Sequence, residues 1–142
     1  MFQADLQALL AAQITPIFAA GNYGPSGSSD VSPANNPEAF AVGAIDNNSA
    51  LYAYSSVGPT SCGRSAPVTY PALAAPGVDI WTADRFGLYT SNSGTSFAAP
   101  HVAGALALLL SAFPELTVAQ QETLLSTTAV DLGPTGLDNF LG

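Results

Sequence analysis

Apolar residues along this chain follow two rhythms. Phe2, Leu6, Leu9 and Leu10 recur at helical spacing with alanines between them, which predicts an amphipathic helix up to about Ala12, ending at Gln13. Residues 14–20 then form a β-prone run closed by Gly21-Asn22-Tyr23-Gly24, the pattern of a buried strand that opens into a loop. Residues 25–37 are so dense in Gly, Ser, Pro and Asn that they predict an irregular surface loop. Phe40–Ile45 is a second apolar strand, ended by the turn signal Asp46-Asn47-Asn48, and residues 51–54 alternate as a short third. Residues 60–70 read as irregular, and 73–77 and 78–82 as short strands around a Pro-Gly turn.

From Thr95 to Ala112 the chain is apolar on nearly every face. Ala103-Gly104-Ala105 is small enough for close backbone contact, so a buried central helix is expected, stopped by Pro114. Thr117 stands three residues before Gln120, a capping pattern, and Val118, Leu124 and Leu125 predict a last amphipathic helix to about Thr127. The tail after Asp131 is turn-rich. Strands alternating with helices point to one α/β domain over residues 1–142, with a parallel sheet covered on both faces.

Composition narrows the function. The chain has 142 residues and is 48% hydrophobic, enough for one sizeable core. Charged residues make up 8%, with ten acids against Arg64 and Arg85 and a net charge of −8, so a nucleic-acid partner is not expected. Cys62 is the single cysteine and has no Cys/His cluster beside it, so neither metal nor cofactor is assigned. The apolar start is not read as a secretion signal, because Asp5 sits where positive charge belongs and Gln7, Gln13 and Pro16 interrupt the run. No run reaches the roughly eighteen apolar residues of a bilayer span, and no membrane partner is expected.

The chemistry is concentrated at Ser93-Gly94-Thr95-Ser96-Phe97-Ala98-Ala99-Pro100-His101-Val102-Ala103-Gly104, where a hydroxyl stands at a Gly-flanked turn opening the long helix. A serine is a weak nucleophile without a base to take its proton and donors to hold the oxyanion. In the first helical turn the backbone N–H of Ser96 lacks an intrahelical partner, and the helix dipole favours developing negative charge. Gly-Thr-Ser alone is also what an ordinary helix cap looks like. The single histidine, His101, lies five residues further on, about 140° round the helix axis, so it is expected to be a packed, hydrogen-bonded helix residue and not the base. Asp30, Asp46, Asp79 and Asp84 read as solvated turn acids.

The string from Gly94 to Gly104, together with Ala19-Ala20-Gly21-Asn22-Tyr23-Gly24, resembles subtilisin-like serine proteases, and the resemblance runs in order and spacing from Met1 to about Leu137. Tyr54-Ser55-Ser56-Val57-Gly58-Pro59 and Ala74-Ala75-Pro76-Gly77-Val78 are similar to further stretches of the family, while Cys62 and residues 65–70 depart from it. The resemblance implies a three-layer α/β fold with a parallel sheet, here partial, because the segments bearing the catalytic aspartate and histidine are expected before Met1. It makes Ser96 the nucleophile and Asn22 the oxyanion-hole donor. Ala19, Ala20 and Gly21 become a wall of the primary specificity pocket, with Tyr23 near its rim. Carbonyls near residues 38–42 correspond to a region where some subtilisins hold a cation, but no metal is assigned. The implied substrate is a polypeptide, the implied partner the missing N-terminal half of the catalytic domain, and the intact protein is expected to be secreted. The isolated chain is expected to be inactive. The alternative is a half-domain that binds without catalysis, or a degenerate gene product.

Overall fold

The computed structural model describes residues 2–142. Helix α1, Gln3–Ala11, ends as the spacing predicts: Gln13 takes a left-handed conformation (φ 60°), the Gln13 N–H donates to the Leu10 carbonyl and the Ile14 N–H to the Leu9 carbonyl. This closing turn uses up residues 12–14. Strand β1 is consequently shorter than the apolar run, Ile17–Ala19, and begins after Pro16, which has no N–H to give.

Strands β1, β2 (Phe40–Ile45) and β3 (Leu73–Pro76) form a parallel sheet in the order β1-β2-β3, with Ile17 opposite Phe40 and Val42 opposite Leu73. Residues 51–54 do not form the expected strand. β1 covers its edge of β2 only as far as Val42, and beyond it residues 50–52 make just one antiparallel bridge, Ile45 to Leu51, with the Tyr52 N–H on the Ala44 carbonyl, before the Ser55 hydroxyl takes the Ala44 N–H. A two-stranded antiparallel hairpin follows, β4 (Ile80–Ala83) and β5 (Tyr89–Asn92), of which only the first strand is foreseen by the sequence pattern. Its turn is held by Asp84, whose carboxylate accepts from the N–H groups of Phe86 and Leu88, both at 2.8 Å, with Gly87 at φ 80°.

Helix α2, Thr95–Ala112, crosses all three strands of the sheet, and Ala98 and Val102 pack with Phe40, Val42, Ala44, Leu73 and Ala75 as the main core. The opposite sheet face is covered by loops rather than helices, through Ala20, Ala34, Ala41 and Tyr70, with Phe18 against them. Expected burial of α2 on every face is not met. Thr95, Ala98, Val102 and Leu106 form one buried stripe, whereas Leu108 is 75% exposed and Gly104 has open space around it among the described residues. A stripe at this spacing is what one sheet face can cover. Contrary to the expectation that no run is long and apolar enough for a bilayer span, α2 is so by length and composition, with 18 residues and a mean hydropathy of 1.4, yet its buried stripe is the lid of a sheet.

Helix α3, Val118–Thr127, carries the predicted capping box in full: the Thr117 hydroxyl accepts from the Gln120 N–H, and the Gln120 side chain accepts from the Thr117 N–H. Its Gln121 is buried, bonded to the Thr15 hydroxyl at 2.6 Å and the Leu116 carbonyl at 2.8 Å, which ties α3 back to the approach to β1.

Candidate active site

Three of the elements meet at the carboxyl end of the sheet. β1 runs out through Ala20 and Gly21 to Asn22, β3 runs out to Gly77, and the N-terminus of α2 lies between them. The Gly94 N–H donates to the Gly77 carbonyl at 2.7 Å on the β3 side, and the Thr95 N–H donates to Asn22 Oδ1 at 3.0 Å on the β1 side. Gly94 is required here. Its φ of 148° excludes ordinary side chains, and a Cβ would stand 3.4 Å from the Asn22 amide. Gly77 is equally confined, since a Cβ there would fall 2.8 Å from Ala44 Cβ and 2.9 Å from the Gly94 carbonyl oxygen.

The amide of Asn22 is oriented by this arrangement. Thr95 offers its N–H and its hydroxyl, the latter 3.2 Å from Asn22 Oδ1. An N–H can only donate, so the carbonyl end of the amide must face Thr95 and the NH2 end must face away. Among the described residues Asn22 Nδ2 has no partner. The Thr95 hydroxyl, fully buried, also accepts from the Gly21 N–H at 3.1 Å. Thr95 thus holds Asn22 in place, a role the sequence reading had not assigned; the signal was its position between Gly94 and Ser96.

Ser96 itself is exposed in the first turn of α2, and among the described residues its N–H has no partner. Pro100 has no N–H to offer the Ser96 carbonyl, which loosens that first turn. An exposed hydroxyl and an unpaired N–H at Ser96 thus stand next in the chain to Thr95, which holds an exposed Asn22 amide whose NH2 has no partner among the described residues. Groups of these kinds attack a carbonyl and hold an oxyanion only where a base is also supplied, and the set itself holds none. His101 does not join it. Its Nδ1 lies 2.7 Å from the Phe97 carbonyl oxygen, one turn back, and since a carbonyl only accepts, Nδ1 carries the proton. It is hydrogen-bonded as expected, but exposed and not packed, because it lies off the buried stripe of α2.

The other residues singled out from the sequence fall beside this corner in different ways. Ala20 is fully buried, its N–H donating to the Val42 carbonyl and its carbonyl accepting from the Tyr70 hydroxyl at 2.5 Å, while Ala19 is half-buried. A Cβ on Gly21 would meet Val31 Cγ2 at 2.7 Å and Ser56 Oγ at 2.8 Å, so this stretch is rigidly seated. Tyr23 is 73% exposed, with its N–H on Ser56 Oγ at 3.2 Å. Burial pushes the Tyr70 hydroxyl far above the ordinary tyrosine range, so it stays a neutral donor.

Asp30 is not a simple turn acid. Burial works against its charge, but donors at Thr60 (2.7 Å), Asn35 (2.9 Å) and Ser28 (2.8 Å) outweigh that and hold its carboxyl below the usual value. Asp46 is lowered by the backbone N–H groups of Ala50 and Asn48. No cluster of acids, histidines and cysteines able to hold a metal occurs among the described residues. Near residues 35–38 a positive group is already built in: Arg64 donates to the carbonyls of Asn35 (2.7 Å), Cys62 (2.9 Å) and Asn36 (3.2 Å). A cavity of about 360 Å³ lies elsewhere, between the start of β3 and the C-terminal turns, with Asp131 as its one acid.

Residues 2–142 match the sequence profile of the subtilase family. The chain belongs to the subtilase family. It is 42% identical over 125 residues to subtilisin DY of Bacillus licheniformis, covering 87% of this chain and 42% of that protein. It is 32% identical over 154 residues to an extracellular serine protease of Serratia marcescens, covering 89% of this chain and 14% of that protein. Among solved structures it is similar to the S41 psychrophilic protease, with a TM-score of 0.77 and 28% identity over 89% of this chain and 43% of that one. The subtilase chain therefore spans less than half the length of these relatives, and its α/β fold with a parallel sheet is a part of theirs.

Proposed function

We propose that this chain supplies the nucleophile and oxyanion-binding half of a serine endopeptidase. The observation that carries the reading is the commitment of the Asn22 carbonyl to Thr95, the residue before an exposed Ser96, which leaves the amide NH2 without a partner among the described residues. In this reading Ser96 Oγ attacks the scissile carbonyl, and its proton passes to an imidazole contributed, with an orienting carboxylate, from outside these residues. The oxyanion accepts from Asn22 Nδ2 and the Ser96 N–H. The leaving amine takes the proton, and water then hydrolyses the acyl-serine ester.

Ala19, Ala20 and Gly21 form a wall for the side chain on the acyl side of the scissile bond, and their small size suits a bulky apolar residue there. Tyr23 stands at its rim. The partner is the N-terminal part of a subtilisin-like domain, and the substrate a polypeptide. The names of relatives such as the extracellular protease of Serratia marcescens support a secreted location for the intact protein.

The test is covalent labelling with a fluorophosphonate. Purified residues 1–142 should remain unlabelled and hydrolyse no peptide, whereas addition of a subtilisin N-terminal half bearing the aspartate and histidine should give labelling at Ser96, abolished by Ser96→Ala. Ser96-dependent hydrolysis by the chain alone refutes the division of labour. A stable complex that leaves Ser96 unlabelled refutes the nucleophile role and favours a binding half-domain.

A further inference from the structure

The β4–β5 hairpin places large apolar side chains where no packing accounts for them. Its register puts Trp81, Ala83, Tyr89 and Ser91 on one face and Ile80, Thr82, Thr90 and Asn92 on the other. The second face is partly buried, apart from Asn92, whereas Trp81 is 70% exposed and Tyr89 67% exposed. These two rings are diagonal cross-strand neighbours, stacked with centroids 6.4 Å apart and planes 7° from parallel. Phe86 and Leu88 extend the apolar surface to the tip, where Arg85 lies over the Phe86 ring at 4.7 Å.

The hairpin is fastened to the loop that carries the nucleophile. The Gly94 N–H bonds the Gly77 carbonyl just before β4, and the Asp79 N–H bonds Ser93 Oγ at 2.9 Å just after β5. Ser91, which faces Trp81 across the pair, is five residues before Ser96, so at most roughly 17 Å of extended chain separates them. Asn22 and residues 19–21 lie at the β1 side of Ser96, and the hairpin springs from the β3 side, with β2 between the two strands. On the protease reading, a polypeptide with its carbonyl oxygen at Asn22 and its acyl-side residue against residues 19–21 occupies the β1 side of Ser96, which leaves the hairpin side open to the rest of the chain.

The backbone of β5 is ready for such a chain. The Asp84 N–H donates to the Leu88 carbonyl, so the alternate pairs Thr82–Thr90 and Ile80–Asn92 carry the ladder bonds. Tyr89 and Ser91 therefore turn their N–H and C=O groups to the far edge of β5, which no strand occupies among the described residues.

We propose that the Trp81–Tyr89 face is a docking surface for the leaving-group side of a polypeptide substrate, selecting an aromatic or large apolar side chain a few residues beyond the scissile bond. The assignment of sides rests on the protease reading above, but binding to this face needs no chemistry at Ser96. Trp81 is the single tryptophan of the chain, so its emission reports the face directly.

The experiment titrates the chain with a short blocked peptide carrying one phenylalanine and a benzophenone residue on its N-terminal side, against the same peptide with serine in place of phenylalanine. The phenylalanine peptide should change Trp81 emission saturably and bind about tenfold tighter than the serine peptide, as one aromatic contact is expected to do. Tyr89→Ala should abolish the difference, and Ser96→Ala should leave it intact. Irradiation should cross-link the benzophenone to residues 92–97. Equal affinity of the two peptides, or no saturable change, overturns the docking face. Cross-links confined to residues 84–88 overturn the leaving-group assignment. Failure of the protease reading is separate and is seen only as loss of fluorophosphonate labelling.

Discussion

Replacing Thr95 by valine removes one oxygen from a fully buried position and keeps the shape. Two contacts disappear, the hydroxyl's donation to Asn22 Oδ1 at 3.2 Å and its acceptance from the Gly21 N–H at 3.1 Å. Asn22 Oδ1 keeps the Thr95 N–H at 3.0 Å, so it loses a tether without being orphaned. Gly21 N has no second acceptor among the described residues, and an unpaired donor in a partly buried place costs about 1–3 kcal/mol. The new methyl group, which needs no hydrogen bond, offsets part of this, and the net loss is about 1–2 kcal/mol. For a chain of this size that corresponds to a fall in Tm of roughly 3–8 °C. Thermal melting followed by far-UV circular dichroism measures it, and amide hydrogen exchange at Gly21 should quicken in parallel. Thr95→Ser keeps the hydroxyl, so it should lose some stability through the missing methyl while Gly21 stays protected. A valine variant within 1 °C of the parent, or Gly21 protection equal in both, would refute the role given to this hydroxyl.

In the complemented enzyme, Asn22→Ala should lower kcat by on the order of 10²–10³ with little change in KM, a magnitude taken from subtilisin's own oxyanion asparagine, and steady-state kinetics would read it. Arg64→Met strips three carbonyls of a charged donor while keeping most of the side-chain volume. A loss of about 2–3 kcal/mol is expected in urea unfolding, which added calcium should not restore. Asp30 has a folded pKa below its unfolded value near 3.9, so its stabilisation is complete above that value and is lost as pH falls through the folded one. Asp30→Asn should therefore be less stable at neutral pH and show a flatter loss of stability between about pH 5 and pH 2, which unfolding midpoints across that range would reveal.

Much of the chain could be read in advance because its signals are local. Gln13 closing α1, Thr117 and Gln120 capping α3, and the limits of β2 and α2 all depend on residues within a turn or two of each other. Residues 14–16 and 51–54 were misjudged as strand for a different reason. Their side chains suit a sheet, but a helix-closing turn occupies the first, and the second meets only the short end of β2 beyond Val42, where the Ser55 side chain takes the Ala44 N–H and ends the pairing after one bridge. The hairpin strand Tyr89–Asn92 was overlooked because Tyr-Thr-Ser-Asn is weakly apolar, although Asp84 and Gly87 marked the turn before it.

Sequence alone determined the nucleophile candidate, its Gly-flanked helix start and the asparagine after β1, since motif and spacing are properties of the chain itself. Only the tertiary structure decided that Thr95 turns the Asn22 amide outward, that His101 faces solvent and bonds Phe97, that Arg64 gathers three loop carbonyls, and that Trp81 stacks on Tyr89. Thr95 and Asn22 are 73 residues apart and Arg64 and Asn35 are 29 apart. Such pairs meet because the β1-β2-β3 order and the crossing of α2 bring distant turns to the same end of a sheet. No local propensity encodes that meeting.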